Sequence, residues 1–282
     1  MRQSYRSKKA TLLNNKMNNS IGFSFNYIFS LVNKFLLSAG FIAMTLGSAS
    51  AQQNTSNDIL TMGNSITAGL SGTAGGTIRC AALGNIIIAA DNQPSCRGNG
   101  QQNVGGWQPI LRSLTGSNTF NFGNSSEITA QMANRLPAAL SARPSKYVLI
   151  LGGTNDVIRN RSISESIANI QRMIDASRAA NRIPIVGTIP PLLLGRFASI
   201  NSRVLALNAA INAIDGVEVA DHYEVLVTNW GAHNSGDTIH LGPSGNQIVA
   251  QVWAAAIERA NQVGTGAGAS AVGPILDLLM GD

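Results

Sequence analysis

Tyr147-Val-Leu-Ile-Leu151-Gly-Gly-Thr-Asn-Asp156 is an apolar run of strand length that passes straight into small and polar residues. Two other stretches share this form. Ile59–Met62 leads into Gly63-Asn64-Ser65, and Thr119–Phe122 leads into Gly123-Asn124-Ser125. Further apolar runs of strand length lie at Ile183–Thr188 and Val217–Ala220. Helical patterns stand between them. From Ile163 to Ala180 the apolar positions 163, 167, 170 and 174 form one stripe, and Ser162 with Glu165 three residues on predicts its capped start. Val204–Ile214 and Gly245–Gln262 also read as helices, the latter opened by Pro243-Ser244 with Ser244 as a candidate cap. Strand and helix signals in alternation imply a parallel sheet covered by helices. In such sheets reactive groups gather in the crevice beyond the carboxyl ends of the strands. The three polar stretches are therefore the places to look for chemistry.

The charge is unevenly spread. The chain has 20 Lys and Arg against 14 Asp and Glu, yet six of the basic residues and none of the acids fall within residues 1–51. The chain beyond residue 51 is formally neutral, which excludes a broad basic face for nucleic acid. The leader itself has a positive n-region, an apolar core at Phe35–Leu46 and small residues at Ala49-Ser50-Ala51. That is the pattern of a secretory signal peptide cleaved near Ala51. The apolar core is shorter than the roughly 20 residues of a membrane anchor, so a retained signal anchor is the lesser alternative. We expect a signal peptide over 1–51, a domain over 52–263, and a Gly/Ala-rich tail over 264–282, in a secreted or periplasmic protein with no stable membrane anchor.

Residues 71–106 break the alternation, being rich in Gly, Asn and Gln with a small apolar island at Ile86–Ile88. Both cysteines of the chain, Cys80 and Cys96, lie there. In an exported protein such a pair is expected to form a local disulfide that orders the segment as a flap. Two thiols without a histidine cluster make a poor metal site, and no metal is expected.

Ser65, directly after a strand and two residues after a glycine, fits a tight turn with its hydroxyl facing the crevice; a plain strand-end turn fits equally well. Asp237-Thr-Ile-His240 changes the balance. A serine hydroxyl attacks poorly unless a base takes its proton. Imidazole suits that role near neutrality, and a carboxylate fixes its tautomer. An Asp and a His three apart on one turn can supply both. Neither His222 nor His233 has a comparable partner nearby. Attack on a carbonyl also builds negative charge on oxygen, which preorganised N–H donors must meet. The Asn155 side chain, the Gly123 backbone and the Ser65 backbone could form such an oxyanion hole, although Asn155-Asp156 also reads as a turn or helix cap.

Together, Ser65 in Gly-Asn-Ser-Ile-Thr, Gly123 in Asn-Phe-Gly-Asn-Ser, Asn155 in Gly-Gly-Thr-Asn-Asp and His240 in Asp-Thr-Ile-His-Leu resemble the four signature blocks of the SGNH (GDSL-type) hydrolase superfamily. The resemblance spans about residues 58–258. It implies a three-layer α/β/α sandwich on a flavodoxin-like, five-stranded parallel sheet. It also implies a serine esterase with Ser65, Asp237 and His240 as its catalytic residues and no cofactor. Two positions depart from the family pattern. Asn64 stands where the first block usually has Asp, and Ser126 follows Ser125 where a glycine is common. The Gly-x-Ser-x-Gly elbow of α/β-hydrolases is missing, since Thr67 occupies its second glycine position. The expected substrate is a small-molecule or glycan ester with a short acyl group such as acetyl. Trp107 and Trp230 are candidates for lining the crevice. Acyl transfer to a glycan hydroxyl by the same site, or a non-catalytic binding protein of the same fold, are the alternatives.

Overall fold

Along the strand Tyr147–Leu151, buried side chains point alternately to two sides of a sheet. Val148 and Ile150 enter one apolar cluster, and Tyr147, Leu149 and Leu151 enter another. This is the two-residue period of an extended chain, and it requires a layer of helices on each face. The computed structural model describes residues 57–72, 78–80, 85–87, 100–102 and 105–264. The expected leader, Cys96 with its pairing to Cys80, and nearly all of the tail lie outside these residues.

The main strands are β1 (Ile59–Gly63), β6 (Thr119–Gly123), β7 (Tyr147–Leu151), β8 (Ile183–Gly187) and β9 (Glu218–Ala220), parallel and ordered β6-β1-β7-β8-β9. This is the flavodoxin-like order, with its switch point beside the first strand. A short strand β5 (Gln101–Gln102) adds antiparallel to the β6 edge, making six strands in all. One face of the sheet is covered by α3 (Thr129–Ala142), α5 (Ile163–Ala179) and α6 (Asn201–Asn212), through Met132, Leu136, Ile170, Ile174 and Leu207. The other face carries α2 (Gln108–Thr115), α7 (His222–Val227), α8 (Trp230–His233) and α9 (Pro243–Gly264). The result is the three-layer sandwich that the sequence motifs imply. Strands β2 (Leu70–Gly72), β3 (Ile78–Cys80) and β4 (Asn85–Ile87) form a separate antiparallel sheet within the Gly-rich segment. The apolar island thus begins on a strand.

The helix expected from 163 runs from Ile163 to Ala179, with the Ser162 hydroxyl accepting the Glu165 N–H. Ser244, by contrast, is no cap. It lies inside α9, and its hydroxyl donates to the Ala232 carbonyl at 3.0 Å. Trp107 and Trp230 do not line the crevice either. Both are buried in the core under α9, with Trp107 5.8 Å from the Trp253 ring. Large apolar rings stabilise more by such burial than by facing water.

His222 is a fully buried polar residue in that layer. Its ring meets Trp253 edge-on at 4.6 Å, and neither ring nitrogen has a hydrogen-bond partner among the described residues. Burial pushes its pKa down from 6.5 to about 3, against a weaker upward pull from Asp221. The folded protein therefore keeps the ring neutral, and between those two values only the unfolded chain takes up the proton. Stability from this residue is complete above the unfolded value and is lost as pH falls, by about 1.4 kcal/mol per pH unit. His222→Phe should lack this component. Urea unfolding at pH 6 and pH 4 should show the variant losing about 2–3 kcal/mol less than the wild type; equal losses would show that His222 is protonated at no cost.

Candidate active site

Ser65 opens a four-residue helix, α1 (Ser65–Ala68), that lies directly on the ends of β1 and β6. Glycine is required beneath it. A Cβ on Gly63 would overlap the Thr67 side chain, and one on Gly123 would overlap the Ala68 backbone nitrogen. Asn64 caps the helix, its Oδ1 accepting the Ile66 N–H at 3.0 Å. The Asp-to-Asn departure therefore keeps the capping acceptor but adds a buried Nδ2 with no partner among the described residues. At the other end of α1 the buried Gln108 donates through Nε2 to the Thr67 carbonyl at 2.6 Å. As the first residue of α1, Ser65 has a backbone N–H without a partner inside the helix.

His240 arrives from a tight loop ahead of α9. The Ser235 N–H bonds the His240 carbonyl at 2.7 Å, and Asn234 and Leu241 pair as an antiparallel bridge, closing the loop. Inside it Asp237 Oδ1 accepts the N–H groups of Ile239 and His240 at 3.1 and 2.8 Å. Asp237 Oδ2 lies 2.6 Å from His240 Nδ1, and His240 Nε2 lies 2.8 Å from Ser65 Oγ. The three residues thus form one continuous hydrogen-bonded chain. Partial burial raises the Asp237 pKa, but the bonds and charge of His240 and the two backbone donors outweigh it, holding the carboxyl well below the usual range. It is ionised wherever the imidazole can act as a base. The turn is strained, for Thr238 sits at φ 72°, a left-handed conformation unfavourable to a β-branched residue.

Asn155 belongs to α4 (Thr154–Ile158), which begins just past β7. Its Nδ2 donates to the Glu127 carbonyl at 2.9 Å. A side-chain amide has a second N–H, and that one remains for a ligand. Asp156 caps a neighbouring helix rather than its own: its carboxylate accepts from the Thr129 N–H, the Thr129 hydroxyl and the Ser166 hydroxyl. It thereby ties α4 to α3 and α5.

Gly123 lies where the motif puts it, but its N–H is already donated to Asn121 Oδ1 at 2.8 Å. It is not the free donor expected from sequence. The glycine is explained by the close approach of α1. The loop after Gly123 is pinned by Glu127, which pairs with Arg135 at 2.6 Å and accepts from Asn124 Nδ2 at 2.7 Å. Arg135 also donates to the Phe122 carbonyl at 2.8 Å. Sequence reading missed Gln108, Asn121, Glu127 and Arg135. Glu127 and Arg135 are eight residues apart, one in a loop and the other on α3, and no single helical or strand period links them. Ser126, at the family's glycine position, adopts φ 63°. The loop keeps a glycine-like turn without glycine. Among the described residues no cluster of His, Cys, Asp and Glu could hold a metal ion, and no helix is long and apolar enough to cross a membrane.

The model of the GDSL-like lipase/acylhydrolase family matches residues 61–248. Among solved structures, a GDSL-like lipase from Bacteroides thetaiotaomicron is 19% identical with a TM-score of 0.53, covering 72% of this chain and 89% of its own. A member of the lipolytic G-D-S-L family from Veillonella parvula is 17% identical with a TM-score of 0.53, over 72% and 98% of the two chains. An acetylxylan esterase from Geobacillus stearothermophilus is 17% identical with a TM-score of 0.53, over 73% and 96%. At these identities the likeness is one of fold. A search of curated proteins finds no match.

Left-handed backbone costs an L-residue about 1–2 kcal/mol. Ser126→Gly should therefore unfold at a urea midpoint no lower than the wild type, whereas Ser126→Val should lower stability by about 1–2 kcal/mol. A stabilising valine would mean that the turn is not left-handed.

Proposed function

The chain belongs to the GDSL-like lipase/acylhydrolase family within the SGNH hydrolase superfamily, and from this we propose that it is an exported serine esterase hydrolysing short-chain carboxylic esters through an acyl-enzyme. The observation that carries the reading is the chain of hydrogen bonds from Asp237 through His240 to Ser65, at 2.6 and 2.8 Å. His240 Nε2 takes the hydroxyl proton as Ser65 Oγ attacks the ester carbonyl, and ionised Asp237 stabilises the imidazolium. The tetrahedral oxyanion is met by the Ser65 N–H and the second N–H of Asn155. The Gly123 N–H, expected from sequence as a third donor, is held by Asn121 Oδ1 at 2.8 Å. Collapse expels the alcohol, which takes its proton from His240, and water activated by the same base releases the acid.

Export is supported by the leader, which holds the entire excess of positive charge. Signal-peptide cleavage predicts a mature protein beginning at Gln52, which N-terminal sequencing of the exported protein would read. A short acyl group is supported by the sequence, which offers no long apolar stretch to line an acyl channel. A structural neighbour described as an acetylxylan esterase points the same way.

On 4-nitrophenyl acetate, Ser65→Ala and His240→Ala should be inactive while remaining folded, and Asp237→Asn should lose less than Ser65→Ala. Asn155→Ala should lower kcat by about 100- to 1000-fold. Full activity in either of the first two variants would defeat the assignment. Across a panel from acetyl to palmitoyl esters kcat/KM should fall with chain length, and a maximum on long chains would overturn the short-acyl reading.

A further inference from the structure

Asn155 lies in the first turn of α4, and Arg159 forms the C-terminal cap of the same helix. Residues at this spacing share one helix face. From that face the two side chains bond consecutive carbonyls of the loop between β6 and α3. Asn155 Nδ2 donates to the Glu127 carbonyl at 2.9 Å, and Arg159 Nη2 donates to the Ser126 carbonyl at 2.8 Å. The Arg159 backbone N–H also meets the Asn155 carbonyl at 3.0 Å, closing the turn that carries both side chains.

The loop that receives these bonds is held from another element as well. Arg135, on α3, donates through Nε and Nη2 to the Glu127 carboxylate at 3.0 and 2.6 Å. Its Nη2 also donates to the Phe122 carbonyl at 2.8 Å, and Asn124 Nδ2 donates to Glu127 Oε1 at 2.7 Å. The Glu127 side chain is thus fixed by Arg135 and Asn124, and its carbonyl receives Asn155. Half-buried Arg135 and exposed Arg159 clamp residues 122–127 between them.

The carbonyl matters because a side-chain amide has two unlike ends. The last torsion of asparagine is soft, and half a turn about it would present Oδ1 in place of Nδ2 to the oxyanion. A carbonyl accepts and never donates, so the Glu127 oxygen admits only the nitrogen end. The bonded N–H then sets the direction of the second one. Ser126 sits at φ 63°, a backbone state that persists in a non-glycine residue only where its surroundings hold it. The Arg159 bond falls on that residue.

We infer that Arg159 is a positioning residue for the oxyanion donor Asn155, acting through the Ser126–Glu127 backbone, with the Arg135–Glu127 pair as the second brace. The inference rests on the esterase reading and adds to the machinery of its site.

A double-mutant cycle on 4-nitrophenyl acetate tests it. Arg159→Met keeps the stem and loses the donor. It should lower kcat about ten-fold and leave KM within about two-fold, since an oxyanion donor acts on the transition state. Arg159→Lys, which still carries a donor, should recover most of that loss. In an Asn155→Ala background the Arg159→Met change should cost less than about two-fold, because the group it positions is gone. Arg135→Lys loses the paired contact with Glu127 and should follow the same pattern, which gives a second arm should Arg159→Met fail to fold. Equal losses in both backgrounds, or a loss below about two-fold in the otherwise wild-type chain, overturn the inference and leave the esterase reading standing. If the wild type leaves the ester intact, that reading fails, and NMR of the side-chain amides decides the positioning alone. The Asn155 Nδ2 signals, identified by their loss in Asn155→Ala, should move toward free-amide positions in Arg159→Met. Unmoved signals overturn the inference.

Discussion

A four-residue helix resting on the ends of two parallel strands is the constraint on which the site depends. Gly63 and Gly123 are partners in the β1–β6 register, and a side chain on either would lift α1 away. With α1 seated, Ser65 has no freedom to leave the switch point between β1 and β7, where Asn155 also emerges. Gln108 fastens the far end of α1 from the helical layer beneath. The nucleophile is thus positioned by backbone packing, and the side chains around it refine what packing has already fixed.

The polar groups around that helix are arranged without much slack. Asp237 is held by three hydrogen bonds, from the Ile239 and His240 backbone and from the His240 ring, so its charge is committed to one imidazole. Asp156 and Glu127 are spent on helix capping and an arginine pair, which makes the loops after β6 and β7 rigid. Strain is concentrated in the same places, at Ser126 and Thr238. Both lie on loops tied down by hydrogen bonds, the condition under which unfavourable backbone persists.

Much of the fold is legible in the sequence because its signals are local. Strand ends read from the sequence fall within a residue or two of those observed, since short apolar runs closed by Gly or Asn report burial and chain reversal together. The stripe at Ile163–Ile174 marks α5 because one face of that helix packs on the sheet. Helix α3 has Met132, Leu136 and Leu140 at helical spacing, but Pro137 interrupts the pattern and its start is capped by Asp156 from another element. The Pro243-Ser244 pair does mark where α9 begins, but Ser244 lies inside the first turn instead of capping it, and its hydroxyl is taken by Ala232.

The sequence by itself determined the class of fold and the residues of the hydrogen-bonded chain, because alternation, turn chemistry and the Asp-x-x-His spacing are properties of neighbours along the chain. Tertiary structure decided what each of those residues is free to do. It engaged the Gly123 N–H with Asn121, which strand geometry places two residues away on the same side of β6. It put Trp107 and Trp230 in the core, because only the assembled layers show which face is covered. Residues far apart in sequence meet only when parallel strands bring their carboxyl ends together, and no local pattern encodes that meeting.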